Sequence, residues 1–170
     1  KNQPVKIWST APATISISKT AQGISKEQLQ KLLERDDIIG LGESYWQAVL
    51  QEPDWLLALF EQTQRAGKTL EGHSAGASEK KLTAYIASGI SSCHEPINAD
   101  QVLDRLRMGL HVMVREGAVR KDLKEIARIK DHGIDLRRLV LVSDGITPAD
   151  LMANGYMEAL VQKAIAYGFE

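Results

Sequence analysis

Short apolar segments alternate with longer amphipathic ones along most of the chain. Leu139-Val140-Leu141-Val142 is the clearest short segment, and Leu29, Leu32 and Leu33 show the spacing of the longer ones. A short apolar run bounded by turn residues is typical of a buried strand, whereas apolar residues three and four positions apart are typical of a helix. The pattern predicts six strands, near residues 5–8, 37–43, 69–72, 90–93, 110–114 and 139–142.

The alternation of strands and helices predicts an α/β fold with parallel strands. A βα unit recurs about every 20 to 30 residues, as parallel barrels and doubly wound sheets require. A strand, helix, strand order of this length is a right-handed crossover, which makes consecutive strands parallel. No linker or low-complexity segment interrupts the pattern, so we expect one domain over residues 1–170.

Capping residues predict where several helices begin. Ser25 and Gln28 match a capping box, and Ser78 and Asn98 are candidate N-caps. Proline favours the first helical position, and glycine favours the residue after a helix. Further helices are expected to begin at Pro53, to span residues 119–132 before Gly133, to begin at Thr147-Pro148, and to include Leu160, Val161 and Ile165 near the end.

Polar groups that can ligate a metal or transfer protons follow the predicted strands. Glu43 ends the second strand, and His73 and His94 follow the third and the fourth. The last two strands are followed by Arg115-Glu116 and by Asp144. Carboxyl ends of parallel strands lie at one edge of a sheet, where α/β proteins build their sites. Each residue alone has an ordinary structural explanation, such as a loop hydrogen bond or a turn, so the repetition is what indicates a site.

The donor types at these strand ends indicate metal-dependent chemistry. Imidazole nitrogens and carboxylate oxygens suit a divalent ion such as Zn, Mn or Fe. Such an ion lowers the pKa of water and presents hydroxide to an electrophilic carbon. Asp144 could then accept a proton and pass it to a leaving amine. The residues therefore predict a hydrolase or a deaminase.

Composition narrows the class of partner. The chain has 170 residues, of which 44% are hydrophobic and 25% charged, and its formal net charge is −1. This balance favours neither nucleic acid nor an anionic membrane, so the expected partner is a small molecule. Cys93 is the only cysteine, which excludes an internal disulfide and fits a cytoplasmic location. There is no apolar run long enough for a membrane span, and the absence of an initiating Met suggests a segment of a longer protein.

With these residues assembled, the chain resembles the adenine deaminase family of the amidohydrolase superfamily. The resemblance runs from about Pro4 to Gly168, nearly the whole chain. Its motifs are Gly40-Leu41-Gly42-Glu43, Gly72-His73-Ser74-Ala75-Gly76, the run from Leu82 to Ile90 leading to His94-Glu95, Val114-Arg115-Glu116-Gly117, and Ser143-Asp144 with Pro148 and Asp150-Leu151.

The resemblance implies a TIM-barrel-like (β/α)₈ fold, of which the six strands here would be strands three to eight. It also implies a centre of two divalent metal ions. Glu43 would be the bridging ligand, His73 and His94 would bind one ion, and Asp144 would contact the other and shuttle protons. Glu95 is expected to be a further catalytic group. Arg115 and Glu116 match positions that contact the substrate or support the groups that do.

The chain also departs from the family pattern. The His-x-His pair of the first barrel strand is not in this sequence, and neither are strands one and two. Gly145 stands where the family usually has a second aspartate, and Cys93 stands where it has another.

Three functional hypotheses follow. The first is an adenine-deaminase-like aminohydrolase that converts a purine such as adenine into hypoxanthine and ammonia. The second is a cyclic-amide hydrolase of the same superfamily. The third is a partial barrel without catalysis, which binds at most one metal ion or pairs with another copy through its open sheet edges to form a homo-oligomer.

Overall fold

The computed structural model describes residues 4–13, 24–51 and 53–170. The chain divides into two compact units, Lys1–Ser91 and Ser92–Glu170. Each unit contains three of the strands found in the described residues, and each is presented by itself. The expectation of a single domain stays a prediction.

The first unit is a parallel three-stranded sheet with helices in the crossovers. Its strands lie in the order β1, β2, β3, and Ala11 pairs with Leu41, which in turn pairs with Leu70. Its elements are β1 (Ser9–Pro12), α1 (Lys26–Leu33), β2 (Ile38–Tyr45), α2 (Trp46–Gln51), α3 (Pro53–Arg65), β3 (Thr69–His73) and α4 (Glu79–Ala87).

The second unit repeats the same arrangement. Its strands lie in the order β4, β5, β6, and Val112 of the central strand pairs with Cys93 on one side and Leu139 on the other. Its elements are β4 (Ser92–Cys93), α5 (Ala99–Arg107), β5 (His111–Arg115), α6 (Leu123–Ile126), a 3-10 helix (Ala127–His132), β6 (Leu139–Val142), α7 (Pro148–Asn154) and α8 (Met157–Ala166).

Each unit buries the apolar face that its sequence pattern predicts. Removal of each large side chain from water stabilises the fold by about 1.5–3 kcal/mol, offset by lost conformational entropy. In the first unit the side chains that are almost fully buried include Leu41, Phe60, Leu70, Leu82 and Tyr85; in the second they include Val102, Val112, Leu123, Ile126 and Ile129.

The predicted fold class is confirmed: the chain is α/β with parallel strands, consistent with part of a TIM-barrel-like fold. The predicted caps at Ser25 and Asn98 are also confirmed. The Ser25 Oγ accepts a hydrogen bond from Gln28 N at 3.2 Å, and the Asn98 Oδ1 accepts one from Gln101 N at 3.0 Å. Ser78 lies at the N-cap position of α4 but makes no side-chain cap bond.

The first strand begins later in the sequence than predicted. It spans Ser9–Pro12 rather than residues 5–8, and Val5, Ile7 and Trp8 are 67%, 71% and 55% exposed. The main chain decides the pairing, because Ser9 N donates to Asp37 O at 2.9 Å where β1 begins beside β2. An apolar run alone does not determine which residues pair with a neighbouring strand.

Other boundaries also differ from the predictions. The helix expected over residues 119–132 begins only at Leu123 and becomes a 3-10 helix at Ala127, because residues before it form a turn in which Gly117 N donates to Arg120 O at 2.7 Å. Strand β2 continues two residues beyond Glu43, and β4 is shorter than residues 90–93. In α8, Leu160 is buried, and Val161 and Ile165 are 45% and 61% exposed.

Among the helices of the described residues, none combines the length and apolarity needed to cross a membrane.

Candidate metal and catalytic groups

Glu43 and His73 lie side by side in the first unit. The His73 Nδ1 is 3.8 Å from the Glu43 Oε2, and the two side chains are 21% and 56% exposed. The hydroxyl of Tyr45 donates to the same carboxylate oxygen over 3.4 Å, and the Tyr45 ring lies 4.3 Å from the imidazole, centroid to centroid. An imidazole nitrogen and a carboxylate oxygen form a donor pair suited to a divalent ion. The Glu43 side chain is open to solvent, whereas the Nδ1 atom of His73 is buried.

The ends of β2 and β3 are joined by a buried tyrosine. Tyr85 of α4 is fully buried, and its hydroxyl accepts a hydrogen bond from His73 N at 2.9 Å. The same hydroxyl donates to the carbonyl of Ser44. The periodicity of α4 predicts that Tyr85 faces the core, but it gives no information about what the hydroxyl contacts. Tyr85 fixes the main chain beside both Glu43 and His73.

A second carboxylate lies near this pair. Glu71 is two residues before His73 in β3, so the two side chains project from the same face of the strand. Burial raises the pKa of Glu71, and the charge of Glu43 raises it further. This part of the unit therefore concentrates negative charge, which a cation would offset.

Arg115 is the centre of the polar groups in the second unit. Its side chain is only 4% exposed and contacts three carboxylates. The Nη1 lies 3.1 Å from Glu95 Oε1 and 3.6 Å from Asp144 Oδ2, and the Nη2 lies 2.8 Å from Asp122 Oδ2. One positive and three negative formal charges leave this cluster at −2 when all four groups are ionised. An adjacent divalent cation would balance that charge.

His94 and Glu95 follow β4 directly. The His94 Nε2 is 3.5 Å from the Glu95 Oε1, and the two side chains are 18% and 8% exposed. Glu95 N donates to the Sγ of the buried Cys93 over 3.4 Å. Glu95 therefore contacts both the imidazole of His94 and the guanidinium of Arg115.

Asp144 lies in a turn after β6. Its φ angle is 43°, in the left-handed region that non-glycine residues rarely adopt. The turn is held by the loop after β5, because Ala118 N donates to Gly145 O at 3.1 Å. The two loops approach so closely that a Cβ at Gly117 would lie 1.7 Å from the carbonyl oxygen of Ser143.

The side chain of Glu116 contacts different residues from those that Arg115 contacts. Its side chain is 7% exposed and forms an ion pair with Lys163 of α8. It also accepts a hydrogen bond from Leu123 N at 3.1 Å, which places it at the start of α6. Glu116 and Lys163 line a cavity of about 310 Å³ together with Lys121, Ser143, Asp150 and Tyr156.

The structure thus forms two groups from the predicted residues. Glu43 and His73 contact each other in the first unit, while Glu95, Arg115 and Asp144 meet in the second, with His94 beside Glu95. A metal centre shared by the two groups stays a prediction, as do the individual roles. Sequence reasoning missed Tyr85 and Asp122; a carboxylate seven residues after Arg115 was the only signal for the latter.

Comparison with known proteins gives a consistent result over nearly the whole chain. No protein-family profile matches the chain. A protein named adenine deaminase from Cenarchaeum symbiosum (strain A) is 35% identical over 175 residues, covering 99% of this chain and 28% of that protein. Those from Clostridium botulinum (strain ATCC 19397 / Type A) and Methanothermobacter thermautotrophicus are 33% and 32% identical, and the chain covers 30% of each. The chain thus spans less than a third of the length of these curated relatives.

Proposed function

The chain corresponds to a segment of the adenine deaminase family, and on this premise we propose that its protein is a metal-dependent aminohydrolase that acts on a purine. The proposed reaction adds water to a ring carbon that carries an amino group and releases ammonia. With adenine, the carbon–nitrogen bond to the amino group breaks, a carbonyl forms, and the products are hypoxanthine and ammonia.

The contact between Glu43 and His73 is the observation that carries this proposal. We propose that these two residues and His94 bind a divalent ion, Mn, Fe or Zn, and that Asp144 contacts a second ion in a complete barrel. Such an ion supplies Lewis acidity and a water molecule of lowered pKa. The donor atoms are of the right type, and the excess negative charge of the cluster around Arg115 favours a cation beside it.

Asp144 is the proposed proton carrier. Its side chain is 38% exposed, so it is accessible to a substrate, and its Oδ2 lies 3.6 Å from the Nη1 of Arg115. A carboxylate in this position can accept a proton from water and deliver it to the leaving amine. Glu95, which is 8% exposed, is proposed to assist from beside His94.

Arg115 and Glu116 are proposed to serve the site in different ways. Glu116 lines the cavity near Lys163, so a ligand in this cavity would meet its carboxylate or that lysine. Arg115 is almost completely covered by protein, which favours a supporting role over direct contact with substrate. A small-molecule substrate and a cytoplasmic location complete the proposal.

The deciding experiment is an assay of the full-length gene product loaded with Mn²⁺. We expect adenine to yield hypoxanthine, followed by chromatography, and an equal amount of ammonia, followed by a coupled assay. Chelation should abolish the activity and Mn²⁺ should restore it. The His73→Asn variant should lose most activity, whereas His132→Asn, at an exposed histidine that ends the 3-10 helix, should not.

Metal-loaded protein that releases no ammonia from adenine or another aminopurine would contradict the proposal. Opening of lactam or hydantoin rings by the same preparation would instead support the cyclic-amide hydrolase. Both reactions use a metal and a proton carrier, so only the substrate screen separates them.

A further inference from the structure

The guanidinium of Arg115 contacts different carboxylates on its two sides. Its Nε donates to Asp122 Oδ2 at 2.9 Å, and its Nη2 lies 2.8 Å from the same oxygen. Its Nη1 faces the other way, toward Glu95 at 3.1 Å and Asp144 at 3.6 Å. The guanidinium therefore links Asp122 on one side to Glu95 and Asp144 on the other.

Asp122 is fixed to Arg115 by the main chain as well. Asp122 N donates to Arg115 O at 2.9 Å, so the residue before α6 is held at the end of β5 independently of its side chain. Asp122 is 9% exposed as a residue, and the Arg115 side chain is 4% exposed. A guanidinium that is buried and hydrogen-bonded in this way has few alternative positions. It therefore fixes the positions of the carboxylates that it contacts.

The contacts of Arg115 lead to two of the groups assigned to metal binding. Asp144 is reached directly, and His94 is reached through Glu95, whose Oε1 is 3.5 Å from the His94 Nε2. A carboxylate next to the ring nitrogen of a metal ligand sets the orientation and basicity of the imidazole. Movement of Arg115 would therefore disturb both residues at once.

We propose that Arg115, anchored by Asp122, is a positioning residue that sets the geometry of Glu95, His94 and Asp144 and does not itself bind substrate. The inference rests on the proposed function, because it concerns residues assigned to that site. It also assigns a role to Asp122, which belongs to none of the motifs that carry the family resemblance.

Two substitutions test this role with little change in volume. Arg115→Lys keeps the charge but replaces a fork by a single ammonium, which cannot reach Asp122 and both other carboxylates together. Asp122→Asn keeps the shape and leaves Arg115 in place, but weakens the anchor. Arg137→Lys and Asp135→Asn are the matched controls, because that pair is an exposed Arg–Asp fork in the same unit.

The measurements are kcat and KM for adenine on the full-length product and, separately, the visible absorption spectrum with Co²⁺ bound. For both test variants we expect kcat to fall about 10- to 100-fold with KM changed by less than about threefold, and the Co²⁺ spectrum to change. The two controls should match the wild type in all three quantities. A rise in KM with kcat unchanged would instead identify Arg115 as a substrate contact and overturn the proposal.

The Co²⁺ spectrum separates this inference from the proposed function. If the wild type does not deaminate adenine, but the Co²⁺ spectra of both variants differ from that of the wild type, only the proposed reaction is contradicted. An active wild type with an unchanged spectrum and unchanged kcat in Asp122→Asn would contradict only the positioning role.

A measurement on the wild type covers the case in which the variants fail to fold. The Arg115 Nε–H resonance, assigned through its own side chain, should be slow to exchange with water and should shift when Zn²⁺ is titrated. If this resonance exchanges rapidly with water and does not shift when Zn²⁺ is added, the proposal is overturned without any substitution.

Discussion

Glu71 is a carboxyl whose pKa is raised by the groups around it. Burial, followed by the charge of Glu43, raises its pKa above the ordinary 4.5. A carboxyl with a raised folded pKa destabilises the fold when the pH exceeds that pKa, and the penalty disappears below the unfolded pKa. In metal-free protein at pH 7, Glu71→Gln should therefore raise the melting temperature, by about 2 °C.

The control for Glu71 is the same comparison at acid pH. The gain should shrink as the pH falls from 7 toward about 4, since the wild-type carboxyl then becomes neutral as well. Thermal unfolding followed by circular dichroism measures both curves. A lower melting temperature for the variant at pH 7 would show that the charge of Glu71 stabilises the metal-free fold.

Asp135 shows the opposite shift. Hydrogen bonds from the side chain and then the main chain of Arg137 lower the pKa of Asp135 from 3.8 to about 2. The pair stabilises the fold above pH 4, and this contribution is lost as the pH falls toward 2. Both side chains are exposed, so the effect should be small and weakened by salt.

The prediction for Asp135 is checked by NMR titration of its carboxyl carbon. The wild-type midpoint should lie near 2, and Arg137→Gln should return it toward 3.8. Equal midpoints in the two proteins would mean that the fork does not persist in solution.

At the scale of elements, Tyr85 joins α4 to the ends of β2 and β3. Tyr85→Phe removes a hydroxyl that accepts from His73 N and donates to the carbonyl of Ser44. A buried carbonyl and a part-buried N–H each lose a hydrogen bond, so we expect the free energy of unfolding to fall by about 1–3 kcal/mol. Urea unfolding measures the change, and the exposed Tyr156→Phe serves as the control.

A metal titration of the same variant tests the link from α4 to the site. If Tyr85 fixes the main chain of His73, the affinity for Mn²⁺ should fall as well as the stability. A destabilised variant with the Mn²⁺ affinity of the wild type would restrict Tyr85 to the core.

Sequence periodicity was sufficient for some elements and insufficient for others. The strands predicted at residues 69–72, 110–114 and 139–142 agree to within one residue at each end with β3, β5 and β6. The repeated strand-end donors predicted one site at a sheet edge. Within the units Glu43 contacts His73, and Glu95 contacts Arg115, while the shared site stays a prediction. Residues 5–8 look like a strand but remain exposed, because the pairing of β1 depends on main-chain contacts with residues distant in sequence.

The residues around Arg115 were harder to predict. The apolar spacing after residue 119 resembles one long helix, yet the turn from Glu116 to Lys121 delays the helix to Leu123. That turn is what brings Asp122 beneath the guanidinium. Helical periodicity reports which face is buried, and it does not report a local turn that competes with the helix.

At the scale of the whole molecule, β6 offers an edge for association. Within the described residues of the second unit, β6 pairs with β5 on one side only. Val140 is 39% exposed, and an unpaired apolar edge strand tends to pair with another chain. We expect the 170-residue chain to associate as its concentration rises, measured by light scattering after gel filtration.

Val140→Lys should shift this equilibrium toward the monomer, since a lysine on an edge strand opposes pairing. Val161→Lys, at an exposed apolar residue of α8, is the matched control and should leave the association unchanged. A wild type that is monomeric at all concentrations would contradict the prediction and remove support for the self-associating alternative.

The close approach at Gly117 bears on how mutational data for this protein should be interpreted. In a scan of every substitution, position 117 should tolerate nothing else, because a Cβ there would collide with the main chain of Ser143. Its activity profile would then resemble that of Asp144, although Gly117 has no side chain that could take part in the reaction. Protein abundance measured in the same library separates the two: substitutions at 117 should deplete the protein itself, whereas Asp144→Asn should leave an abundant but inactive one.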